Sequence, residues 1–165
     1  MEQYDYRKIK FTGFDFLLEA IGILALCLLL ILPYLYADVM PERIPRHFNF
    51  YGQPDAWCGK WSVYVLQGIG LVLFVMMTIL NRFPGKFNYF VAITDQNALI
   101  QYQISTRMVR YLKTVVICIF FFLLFKSIQI SIGEAENLGQ YFLLVVLIAV
   151  FGPVIYYLRK SFRNK

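Results

Sequence analysis

The chain has 165 residues, of which 59% are apolar and 16% charged, with a formal net charge of +6. Soluble domains run roughly 45–50% apolar and about 25% charged, so disorder is excluded, and a soluble enzyme is disfavoured because so small a sphere cannot hide that much apolar surface. The cationic excess then reads as a membrane signal, and no nucleic-acid partner is expected.

Hydrocarbon about 30 Å thick needs roughly 20 apolar residues of helix. The first run that qualifies covers residues 16–37, with Glu19 as its one ionisable group. Arg7, Lys8 and Lys10 precede it. Its apolar core exceeds the roughly 7–15 residues of a cleaved signal, and no small-x-small site follows, so it reads as a retained span. An outer loop follows at 38–61. The second run, 62–80, is uncharged. A polar loop at 81–111 comes next. Thr94 reads as an N-cap, and an amphipathic helix is expected over about 95–111, with Arg107, Arg110 and Lys113 on one stripe. That stripe suits lipid-surface anchoring or a soluble regulator. The third apolar run, 114–125, is only 12 residues long and bracketed by Lys113 and Lys126, so the span is taken as 112–132, and the fourth as 141–158, with Gly152-Pro153 as a kink. The fold class expected is therefore an all-α integral membrane protein. It is one domain over 1–165, a four-helix bundle with a compact extracytoplasmic loop as its cap.

Charge placement orients this bundle. Twelve of the sixteen Lys and Arg residues fall on the side of the termini and the 81–111 loop. By the positive-inside rule that side is cytoplasmic. Tyr34, Tyr36, Trp57, Trp61 and Tyr64 then form an outer aromatic belt, with Tyr156 and Tyr157 at the inner one.

The outer loop carries most of the information. Prolines 41, 45 and 54 and glycines 52 and 59 block a helix and fix turns. Asn49 and Gly52 suit a turn with positive φ. Pro54-Asp55 suits a second turn, with Asp55 bonding to its own backbone. Polar residues alternate with Phe48, Phe50, Tyr51 and Trp57, so the loop is expected to fold onto the helix ends. Pro45, His47, Asn49, Gly52, Asp55 and Lys60 are the candidate ligand-binding residues. A self-bonded turn accounts for the same residue types. His47 with Asp55 could orient a general base, but no nucleophile arrangement accompanies them, and one histidine makes no usual zinc set. No catalytic residue, metal or cofactor is expected.

The segment Ile44-Pro45-x-His47-Phe48-Asn49-x-x-Gly52-x-x-Asp55, followed by Gly59-Lys60, resembles the signature of the bacterial membrane family typified by the Sdp immunity protein. Its defining segment is a domain of unknown function (family 1648). The resemblance covers roughly 28–84, and this chain is shorter than the typical immunity protein. It implies a bacterial inner-membrane protein with an outward Pro-x-His-Phe-Asn loop. It also implies a partner at the outer face, a secreted peptide toxin or other ligand, and a cytoplasmic regulator to which its presence is relayed.

Two intramembrane polar residues stand apart. Glu19 is within reach of Lys8, Lys10 or headgroups, and Lys126 of Asp38, Asp55 or Glu134 beneath the cap. With Gln67 they define the polar path that a transporter or channel subunit would need, and a pore would require a homo-oligomer. Gly68 and Gly70 could allow close helix contact. Cys27 and Cys118 read as small hydrophobes inside spans, and Cys58 as a lone thiol in the loop.

Overall fold

The computed structural model describes residues 9–165. Arg7 and Lys8 lie outside the described residues. Four helices are long and apolar enough to cross a membrane: α1 (Gly13–Leu35), α2 (Ser62–Leu80), α3 (Ala98–Ser131) and α4 (Phe142–Arg163). Between α1 and α2 lie two strands, β1 (Arg43–Phe48) and β2 (Pro54–Gly59), paired antiparallel. The protein is thus an all-α membrane protein with a small two-stranded sheet.

Its surface is inverted relative to a soluble bundle. Leu24 and Ile148 are more than 60% exposed, whereas Lys113 is 1% and Gln67 6% exposed. Water would oppose so wide an apolar surface, but hydrocarbon does not.

Successive helices run in opposite directions. This places α1's end, the hairpin, α2's start, α3's end and α4's start together at one end, here called the hairpin end. The other, terminal end gathers α1's start, the 81–97 connection, α3's start and the C-terminus. There Gln101 Nε2 donates to the carbonyls of Ser161 and Asn164 at 3.0 and 2.8 Å. α3 contacts all three other helices and β1. α4 packs mainly on α3 and stays largely uncovered.

The amphipathic helix and the third span are one element. α3 has 34 residues, about 50 Å at 1.5 Å per residue, so it projects well past the hydrocarbon. The N-cap of α3 is Asn97, and Thr94 caps only the turn that leads into it. Thr94 Oγ1 accepts from Asn97 N at 3.3 Å, and Asn97 Oδ1 accepts from Thr94 N at 2.9 Å. This reciprocal pair is a capping box one turn before the regular helix.

Within α1, Pro33 has no N–H, so the carbonyl of Leu29 loses its helical donor. Gln67 of α2 replaces it, with Nε2 donating to the carbonyls of Leu29 and Leu30 at 2.8 Å each. Gly70, one turn further along α2, lets Leu29 approach: a Cβ there would sit 2.6 Å from Leu29 Cδ2. Gly68 meets nothing comparable. α4 runs unbroken through Gly152-Pro153.

Candidate functional site

The hairpin is seated on a hydrophobic cluster made of Leu29 and Leu32 from α1, Met40, Ile44 from β1, Val63 from α2, and Leu124 and Ile128 from α3. Ile44 and Pro45 of β1 are both buried, and Ile44 is the strand's member of this cluster. Prolines that read as helix breakers are accommodated here. A two-stranded sheet consists of edges, and Pro54 stands at the first position of its strand.

Two bulges shape the hairpin. Pairing steps from Pro45↔Trp57 to His47↔Ala56, which leaves Arg46 over on β1, and then to Phe48↔Pro54, which leaves Asp55 over on β2. The second bulge brings Asp55 beside His47, with Oδ1 2.6 Å from Nδ1. Asp55 therefore bonds across the hairpin rather than to its own backbone, and it belongs to a strand rather than a turn. Both side chains are well exposed, at 69% and 43%.

Asn49 organises the tip through its side chain. Its Oδ1 accepts from Tyr51 N at 2.9 Å and Gln53 N at 3.0 Å. Its backbone N–H donates to Gln53 O at 2.9 Å, and its carbonyl accepts from Gly52 N at 2.9 Å. Positive φ falls on Gly52 alone of this pair, at 76°. The carbonyl of Gly52 accepts from Leu138 N at 2.9 Å, which pins the tip to the loop between α3 and α4. On this braced turn Phe50 and Tyr51 remain 73% and 67% exposed. The expectation that the loop folds onto the helix ends fails for these two rings and for Trp57, which is 40% exposed.

The six candidate residues thus divide. His47 and Asp55 form one exposed pair, while Asn49 and Gly52 shape the turn. Pro45 faces the core. Lys60 lies at the far end of the hairpin, where Nζ meets Glu42 Oε1 at 2.7 Å. The hydrogen bond that Lys60 donates to Glu42, together with the Glu42 charge, holds the Lys60 ammonium above its ordinary range. Cys58 Sγ lies 3.7 Å from the carbonyl of Ile44. Among the described residues no three histidine, cysteine or carboxylate side chains converge.

The terminal end holds a second constellation, whose charged members come from two distant stretches of the sequence. Asp15 receives five donors: Thr12 N at 2.9 Å and Oγ1 at 2.7 Å, Arg107 Nε at 2.9 Å and Nη2 at 2.8 Å, and Arg110 Nη1 at 2.9 Å. Glu19 accepts from Arg110 Nε at 3.0 Å and Lys113 Nζ at 2.7 Å. Lys113 also donates to Thr78 Oγ1 of α2 at 3.0 Å and lies over the Phe74 ring. Three helices are thereby tied by charge. The stripe Arg107, Arg110, Lys113 faces α1, where each member is ion-paired with Asp15 or Glu19. Glu19 is not paired with Lys10, and Lys8 lies outside the described residues. Lys126 does not give the cap a floor: among the described residues it makes no ion pair. Glu19 and Gln67 each have their own partners, Glu19 on α3 and Gln67 on α1.

Residues 23–71 match the family model described as "Domain of unknown function (DUF1648)". The match takes in the second half of α1, the whole hairpin and the first half of α2, somewhat under a third of the chain. No curated protein and no solved structure gives a match.

Proposed function

We propose that this chain is a non-enzymatic receptor of the immunity type in the bacterial cytoplasmic membrane. Its termini lie in the cytoplasm, and its hairpin binds a peptide ligand at the outer face. The observation that carries the reading is the tip of the hairpin. Two large rings stand exposed on a turn whose backbone is fixed by Asn49 and by Leu138, and the exposed His47–Asp55 pair flanks that turn on the two strands. Exposed aromatics on a preorganised loop are what recognition surfaces are built from, since little entropy is lost when they are covered. Phe50 and Tyr51 would take apolar side chains of the peptide, and His47 with Asp55 its polar groups. Support for the orientation comes from charge. With Arg107, Arg110 and Lys113 set aside as internally paired, cations on the side of the termini still outnumber those at the hairpin end. The seat of β1 on α3 supports a relay to a cytoplasmic regulator, because α3 is continuous from the hairpin to the terminal end.

The test expresses the chain in bacteria grown beside a producer of a secreted antibacterial peptide. Wild type is expected to protect. Tyr51→Ala and His47→Ala are expected to lose protection while accumulating normally in the membrane. Loss of accumulation in both variants would make the tip structural and overturn the reading. A reporter fused after Lys165 is expected on the cytoplasmic side, and an outside signal would overturn the orientation.

A further inference from the structure

A trough of about 350 Å³ lies between the hairpin and the helices below it. Ile44 and Pro45 line it from the hairpin, Leu66 and Ile69 from α2, and Leu124 from α3. Its lining continues along the flank of α2 through Val65 and Ile69, which are both exposed on a helix long and apolar enough to cross a membrane. Arg46 lines it as well. This is the residue that the first bulge leaves without a partner on β2, and bulges re-aim side chains in this way. Among the described residues no carboxylate lies within ion-pairing distance of Arg46. A lone cation on an apolar trough that continues along such a flank is complementary to an amphiphile with an acidic head. A peptide laid in the same trough would bring backbone N–H and C=O groups that the mostly apolar lining cannot satisfy. An acyl chain brings none.

We propose that the trough seats one acyl chain of an anionic phospholipid, with Arg46 on its headgroup phosphate. The site is separate from the ring-bearing tip and goes beyond the receptor reading. The bound lipid brings negative charge to the base of the hairpin, and the hairpin end becomes sensitive to the acidic lipid content of its leaflet.

Trp61 also lines the trough and reports on it. The full chain carrying Trp57→Phe keeps Trp61 as its one tryptophan. It is reconstituted in phosphatidylcholine vesicles in which about one lipid in ten is acyl-brominated, either phosphatidylglycerol or phosphatidylcholine. Brominated phosphatidylglycerol is expected to quench Trp61 with an apparent affinity about two- to fivefold higher, the range of one partly exposed ion pair. Arg46→Gln is expected to abolish that preference and Arg46→Lys to retain most of it, both at unchanged helix content. Soluble glycerol phosphate is expected to leave the quenching in place, since it has no chain. Equal quenching by the two lipids, an unchanged preference in Arg46→Gln, or relief by glycerol phosphate would each overturn the proposal. So would relief by a Leu-rich peptide bearing a free carboxylate when unbrominated phosphatidylglycerol gives none. Peptide protection by the tip can fail without affecting any of these readings.

Discussion

The two ends of the bundle use charge in opposite ways. At the terminal end Asp15, Arg110 and Lys113 are buried, and their charged partners lie more than 90 residues away in sequence. At the hairpin end His47 and Asp55 are exposed and only eight residues apart. A buried pair cannot lose one member without leaving a charge in low dielectric. An exposed local pair can, because water replaces the lost partner. Charge at the terminal end therefore holds helices together, while charge at the hairpin end is free to be used.

Substitutions can break or sharpen that contrast. The largest effect is expected from Asp15→Ala, which strips Arg107 and Arg110 of their shared acceptor. It should cost about 3–5 kcal/mol, read as a large drop in the unfolding temperature of the detergent-purified protein. Glu19→Gln should be similar in sign and smaller, because Lys113 keeps Thr78. Adding Lys113→Met to Glu19→Gln should recover part of the loss, since removing both charges of a buried pair is gentler than removing one. A double variant worse than either single would mean that the network is not the joint described here. Gly52→Val comes next, at about 1–3 kcal/mol, because a β-branched residue is forced to positive φ. Its effect should be confined to the hairpin and appear as faster proteolysis there. Gln67→Leu leaves the Leu29 carbonyl without a donor and should cost about 1 kcal/mol in thermal unfolding. His47→Ala and Asp55→Asn stand last, with under about 1 kcal/mol of stability at stake. A stability loss there as large as that of Asp15→Ala would erase the distinction between the two ends.

How much of this the sequence shows depends on the range of the interaction. The second span reads as 62–80 and α2 occupies Ser62–Leu80, because hydrocarbon demands an uninterrupted apolar run and this one is bounded closely by Lys60 and by Asn81-Arg82. Thr94 is legible as a cap because its partner is three residues away. α3 is only half legible. Residues 98–113 carry the polarity of a surface helix, and nothing local says that Arg107, Arg110 and Lys113 turn toward α1. The two acids one helical turn apart and the three cations at spacings of three are visible as separate stripes. Matching them requires knowing that α1 and α3 lie side by side. The strands escape for another reason. Pro45, Gly52, Pro54 and Gly59 are punctuation in most contexts, and only at the edge of a two-stranded sheet do they fit within or beside strands. The pairing of His47 with Asp55 follows from a bulge, which shifts register by one residue and leaves no mark in composition. The placement of a polar loop between two spans was readable; its internal register was not.

The joint between Pro33 and Gln67 bears on how the chain enters the membrane during synthesis. α1 emerges first, and in hydrocarbon its Leu29 carbonyl has no donor of its own. The missing donor lies more than thirty residues further along and arrives only when α2 is laid alongside. Entry of the first helix into lipid is therefore completed by the second. The two helices mature as a hairpin-linked pair, with the β-hairpin closing over them as the connection between insertion and assembly.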